Sequence, residues 1–244
     1  MYIVLLTAIG VGGATIFGAV IGFVFKDLSR KFSDTVLAFA GGVMLIASIN
    51  GLILPSLEYE GSATLIIAVL GIIVGALIIF FLEKSVPYID KMRDENSQKR
   101  NRVLLFTLAI AIHNLPEGIA AGVGFGTGDI SGAITLALGI ALQNIPEGMV
   151  IISPMISAGI SPKKTFLFAS LTGVIEIIGT FIGYFAVSIA EVFLPFTLAL
   201  AGGSMLYVIS EEIIPETHSE GKKSGVSFGF LFGFCFMLAL NFII

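Results

Sequence analysis

Eight apolar stretches, each about the length a bilayer demands, fill almost the whole chain: 2–25, 35–57, 62–83, 102–125, 130–157, 164–189, 192–216 and 225–243. A helix needs about 20 residues to cross a hydrocarbon core of roughly 30 Å. No water reaches that core, so each backbone N–H and C=O must find its partner within the segment, which a helix provides. Composition agrees, with 56% hydrophobic and only 12% charged residues and a mean hydropathy of +1.03. Soluble domains carry about 25% charged residues. The expected fold is an all-α polytopic membrane protein with eight transmembrane helices in a single domain over 1–244, and a polar cytoplasmic loop at about 84–101. The first stretch has no basic residues ahead of it and exceeds the usual apolar core of a signal peptide, so it reads as a retained helix. Cys235 is the one cysteine, which leaves no disulfide within the chain and no soft thiolate metal site.

Charge falls between the stretches in a regular order. All 13 Lys and Arg lie in alternate connections: Lys26, Arg30 and Lys31; then Lys84, Lys91, Arg93, Lys99, Arg100 and Arg102; then Lys163 and Lys164; then Lys222 and Lys223. The intervening connections hold only acids, namely Glu58, Glu60, Asp129 and Glu191. Basic connections face the cytoplasm, so both termini are expected on the extracellular or periplasmic side of a cell membrane. The 84–102 segment, rich in Lys, Arg, Asp, Glu, Asn and Gln and interrupted by Pro87, reads as a solvated linker.

Two polar hexapeptides interrupt the fourth and fifth stretches 30 residues apart: His113-Asn114-Leu115-Pro116-Glu117-Gly118 and Gln143-Asn144-Ile145-Pro146-Glu147-Gly148. His113 and Glu117 are four apart, as are Gln143 and Glu147, so each pair shares a helix face. Asn114 and Asn144 widen that face. Pro116 and Pro146 lack an N–H and release the carbonyls of Ile112 and Leu142. The sixth stretch adds Glu176 among Val174, Ile175, Ile177 and Ile178. A charged residue at mid-span costs about 2.5 to 3.5 kcal/mol, and no Lys or Arg lies inside a stretch, past its first residue, to offset Glu117, Glu147 or Glu176. The missing positive charge is a proton or a bound cation.

The donor set narrows the cation. One imidazole with carboxylates and amide oxygens suits borderline first-row divalent ions such as Zn(II), Fe(II), Mn(II) or Co(II). Calcium and magnesium favour all-oxygen shells. Bridging carboxylates at Glu117 and Glu147 would support two ions side by side, with Asn114, Asn144 and Glu176 on one and His113 and Gln143 on the other. Along the path, Met44, Ser48 and Asn50 are expected toward the outer entrance, and Glu211, Glu212, Glu216 and His218 toward the cytoplasmic exit.

A repeat links the second and seventh stretches. Leu37-Ala38-Phe39-Ala40-Gly41-Gly42-Val43-Met44-Leu45 resembles Leu198-Ala199-Leu200-Ala201-Gly202-Gly203-Ser204-Met205-Leu206, and each is followed by a proline, Pro55 or Pro215. The charge pattern runs these two helices in opposite directions, as it does the fourth and fifth. Inverted repeats with interrupted midplane helices are a recurring transporter plan, here three helices, then two, then three.

With these residues in view, the chain resembles the ZIP (Zrt-, Irt-like protein) family of divalent metal transporters, and is most similar to its compact GufA-like prokaryotic branch. The resemblance rests on the two hexapeptides, Glu176, and the Glu-Glu-Ile-Ile-Pro-Glu-Thr-His run from Glu211 to His218. It implies termini outside, inward movement of zinc or a related ion such as iron, manganese, cobalt or cadmium, and a two-metal site on the fourth, fifth and sixth helices. It implies no catalytic cofactor and no nucleic acid. The partners are the divalent ion, the lipid bilayer and, where the chain self-associates, a homodimer mate. Many relatives carry an acid or a second histidine where this chain has Gln143 and Asn144, and a histidine where it has Glu211. The histidine-rich loop of many eukaryotic members is absent.

Enzymatic readings fit less well. Gly126-Thr127-Gly128-Asp129 matches an aspartyl-protease pattern, but Asp129 lies between stretches and has no partner aspartate in a neighbouring one. The His-Glu-x-x-His of metalloproteases is missing. A proton-coupled carrier or channel for another small solute, with the glutamates as a proton relay, is the alternative to metal transport.

Overall fold

The computed structural model describes residues 1–25, 29–59, 63–85, 95–189, 193–219 and 224–243, without the side chains of 85, 95–107 and 109. These form eight long helices and, among the described residues, no strand: α1 (Tyr2–Val24), α2 (Arg30–Leu57), α3 (Thr64–Ser85), α4 (Glu95–Gly124), α5 (Ile130–Ser157), α6 (Pro162–Ile189), α7 (Leu194–His218) and α8 (Ser224–Ile243). The protein is a multi-pass membrane protein. Its fourth helix begins at Glu95, inside the segment read from the sequence as a loop, because Glu95, Gln98, Lys99 and Arg100 are good helix formers despite their polarity. Lys26, Glu60, Pro87, Lys91, Arg93, Glu191, Lys222 and Lys223 lie outside the described residues, as do the side chains of Lys99, Arg100 and Arg102.

Local chemistry sets the helix ends. Ser29 caps α2, its Oγ accepting from Phe32 N at 3.3 Å. Between α4 and α5 the chain turns at Gly128, whose φ of 79° lies in the left-handed region that a side chain disfavours. Gly128 of the 126–129 motif thus serves a turn.

The helices pack as an inverted repeat. α4 lies on α6 as α5 lies on α1, α2 on α8 as α7 on α3, and α2 on α5 as α7 on α4. Exchanging α1 with α6, α2 with α7, α3 with α8 and α4 with α5 therefore returns the same set of neighbours. The closest seams are backbone against backbone. A Cβ on Gly118 would overlap Glu176 O and one on Gly148 would overlap Thr15 O; Gly42 and Gly203 stand in the same relation to Phe230 O and Ile72 O. Small residues admit this approach, and van der Waals packing holds helices together where lipid removes the hydrophobic drive. α2, α5 and α7 are mostly buried in the molecule, whereas α3 and α8 expose most of their surface to lipid. Cys235 is on the exposed face of α8.

The repeat extends to an irregularity. α2 and α7 each widen into a π-helix, at Ile49–Ile53 and Ile209–Ile213, with Leu54 N and Ile214 N reaching back five residues to Ile49 O and Ile209 O. Pro55 and Pro215 follow directly. Each proline removes an N–H from the regular ladder, and the wider turn restores a partner one residue further back.

Candidate metal site

The hexapeptides sit in unbroken helix, Pro116 within α4 and Pro146 within α5. Every polar side chain expected at the site is buried: His113, Asn114, Glu117, Gln143, Asn144, Glu147 and Glu176 are between 0% and 6% exposed. The two amides of α5 grip two carboxylates. Gln143 Nε2 donates to Glu117 Oε1 at 2.8 Å, and Asn144 Nδ2 donates both to Glu176 Oε1 and, at 3.1 Å, to Val11 O of α1. Thr15 of α1 donates from Oγ1 to Glu176 Oε2 at 3.0 Å.

These bonds leave a set of oxygens without protein partners. Asn114 Oδ1, Glu117 Oε2, Gln143 Oε1, Asn144 Oδ1 and Glu147 Oε1 are all buried and unpaired. Buried polar atoms are normally satisfied, and each exception calls for a water or an ion. With its N–H side turned to a carboxylate, each α5 amide leaves its oxygen unpaired.

His113 turns to a different group. Its Nε2 lies 2.6 Å from Glu212 Oε1 of α7 and 3.6 Å from Glu83 Oε1 of α3. Nε2 is thus within ion-pairing distance of both carboxylates. Tyr207 OH supports the group, donating to Glu83 Oε2 at 3.3 Å. Glu83, His113 and Glu212 offer one ligand atom each within 4.8 Å of one another, a spacing that suits a metal ion.

One cavity reaches the site, and a second lies toward the other end of the bundle. The first, of about 290 Å³, is lined by Met44, His113, Glu117, Glu147, Glu211, Glu212 and Glu216. The other, of about 710 Å³, lies between the last turns of α2, α4 and α8 and the start of α5, and is lined by Asn50, Glu58, Asp129, Thr135 and Asn241 among others. The residues expected at an entrance are therefore separated: Asn50 lines the larger cavity, Met44 lines the smaller one with the glutamates, and Ser48 Oγ donates to Leu45 O. Of the expected exit residues, Glu211, Glu212 and Glu216 line the smaller cavity, and His218 Nδ1 sits 3.1 Å from Ile214 O at the end of α7.

Sequence reasoning passed over Glu83 and Thr15. Glu83 stands next to Lys84 at the end of an apolar run and looks like a solvated helix end; Thr15 is a lone hydroxyl among small and aliphatic residues. Neither carries a motif.

A bundle of membrane-spanning helices with unpaired carboxylate and amide oxygens at its centre, and a cavity that reaches two of its glutamates, defines a transporter of divalent cations. The model of the ZIP zinc transporter family matches residues 89–241. The chain is 33% identical over 239 residues to zinc transporter GufA of Myxococcus xanthus, covering 94% of each protein. It is 34% identical over 247 residues to zinc transporter ZIPB of Bordetella bronchiseptica, covering 93% of this chain and 77% of the relative, and 32% identical to zinc transporter ZupT of Chlorobaculum parvum over 250 residues, 94% and 92% of the two chains. The chain belongs to the ZIP zinc transporter family. These relatives are named as transporters and not as enzymes.

Proposed function

We propose that this chain carries zinc, and related borderline divalent ions, into the cytoplasm through a midplane site on α4 and α5. The observation that supports this reading is the set of buried, unpaired oxygens on Asn114, Glu117, Gln143, Asn144 and Glu147, in helices that hold no Lys or Arg beyond Arg102. An ion leaving water loses its hydration shell, and those oxygens replace it. Glu117 and Glu147 bring the negative charge that a divalent ion needs to enter hydrocarbon.

The route follows from the cavities. Ions gather in the larger cavity past Glu58 and Asp129, bind between Glu117 and Glu147, and leave through the smaller one. At its edge His113 and Glu212, with Glu83 beside them, offer a second set of ligands, which take the ion from the midplane and pass it to Glu211 and Glu216. The smaller cavity faces the cytoplasm in this reading because it opens beside the start of α2, where Arg30 and Lys31 lie. Both termini are then outside. Access alternates as one helix group moves against the other, the expectation for inverted repeats.

The test is influx of Zn(II), Fe(II), Mn(II), Cd(II) and Mg(II) into liposomes holding the purified protein, with Glu117→Ala/Glu147→Ala as control. Saturable influx of the borderline ions, lost in the double variant, supports the reading. Folded protein that moves none of them refutes it.

A further inference from the structure

Glu176 differs from the other midplane carboxylates in having neither oxygen free. Oε1 accepts from Asn144 Nδ2 and Oε2 accepts from Thr15 Oγ1, whereas Glu117 and Glu147 each keep an unpaired oxygen. The orientation of Asn144 is fixed independently of Glu176. Val11 O can only accept, so the atom 3.1 Å from it must be the amide nitrogen. That nitrogen has two hydrogens, one for Val11 O and one for Glu176. The cavity that touches His113, Glu117 and Glu147 has neither Glu176 nor Asn144 in its lining, and both are 0% exposed.

We infer that Thr15 and Asn144 hold Glu176 as a structural carboxylate, so that the midplane of this chain takes one divalent ion, on Glu117 and Glu147, where two were expected. The inference rests on the metal-transport reading and specifies its site. Thr15 is a positioning residue, acting on the ion only through Glu176. α1, which bears no ligand, becomes part of the site through one hydroxyl and one carbonyl. The amide at 144 decides the outcome. An aspartate there would set two acceptors against Val11 O and a like charge against Glu176, an arrangement that needs a cation between them. Asparagine supplies hydrogens in place of that cation.

The experiment is equilibrium dialysis of the purified full chain in nanodiscs against Cd(II), with bound metal counted per chain by mass spectrometry. Counting differences between variants removes any ion held at Glu83, His113 and Glu212. Asn144→Asp is expected to bind one more ion than the unmodified chain, and adding Glu176→Gln to it to remove that ion again. Glu176→Gln alone is expected to remove none. Thr15→Val, which frees Oε2, is expected to gain an ion, and Thr15→Ser, which keeps the hydroxyl, to show the unmodified count; a merely structural role for Thr15 would lose ions rather than add one. The inference is overturned if Glu176→Gln alone removes one bound ion, or if neither Asn144→Asp nor Thr15→Val gains one. If Glu117→Ala/Glu147→Ala binds as many ions as the unmodified chain, the metal-site reading itself fails, a result distinct from both.

Discussion

Gly179 of α6 gives a direct test of how closely the helices around the site are packed. A Cβ there would lie 2.6 Å from Leu115 O and 3.1 Å from Ile119 N of α4, where ordinary contact begins at 3.4 Å. Both obstacles are backbone atoms and cannot rotate away, so Gly179→Ala must push α6 off α4 by about 0.8 Å. Overpacking of this kind costs about 1–3 kcal/mol. The push falls at the level of Leu115 and Glu117 on one helix and Glu176 on the other, yet touches no ligand. Disturbing the groups that orient ligands lowers metal affinity or activity roughly 10- to 100-fold. The expected result is therefore a lower melting temperature together with at least a tenfold loss, on the order of that range, in zinc influx at subsaturating metal. Gly10→Ala is the control, because a Cβ at Gly10 meets nothing within 4 Å. If Gly179→Ala melts and transports like Gly10→Ala, the α4–α6 seam is not at contact distance and the reasoning fails.

Glu117→Ala and Glu147→Ala should each abolish most influx, about 100-fold or more, because each removes a ligand and the charge that offsets a divalent ion; initial rates in liposomes check this. Glu212→Gln, which removes the carboxylate charge beside His113, should slow release and lower the maximal rate by about tenfold while leaving the half-saturating concentration nearly unchanged, as measured over a range of zinc concentrations. Arg30 pairs with Glu216 at 3.6 Å with both side chains about half exposed, so Arg30→Ala should cost no more than about 1 kcal/mol and shift the thermal midpoint little. In a Cys235→Ser background, a membrane-impermeant maleimide should label Asn50→Cys in intact cells and Glu211→Cys only after permeabilisation; the opposite pattern would reverse the orientation.

Much of this architecture was legible in the sequence because a bilayer leaves few choices. The apolar stretches mark the helices, and the matched Gly-Gly-x-Met-Leu runs announce the relation between α2 and α7. Helix periodicity also places His113 with Glu117 on one face. Periodicity does not say which neighbour that face meets, and the structure turns His113 toward Glu83 and Glu212 while Gln143 meets Glu117. The π-helices were invisible, since Ile49–Ile53 and Ile209–Ile213 differ at all three central residues and share only their flanking isoleucines and the proline that follows. The start of α4 was missed because a hydropathy argument sees only the apolar part of a helix that begins in polar residues.

The exchange of neighbours between the two repeats carries a second conformation within the first. Where the smaller cavity lies against the later part of α7 and the hexapeptide of α4, the exchange assigns its counterpart to the later part of α2 and to α5, where the larger cavity opens. In the alternating access proposed above, giving each repeat the shape of the other generates the state in which the ion enters. The scaffold is nearly symmetric under this swap, but its chemistry is not: measured from Pro55 and Pro215, Gly51 and Leu52 correspond to Glu211 and Glu212. At these two positions one side offers carboxylates and the other a glycine and a leucine. Loading rates from the two sides must then differ, although the sign of net flow still belongs to the gradient.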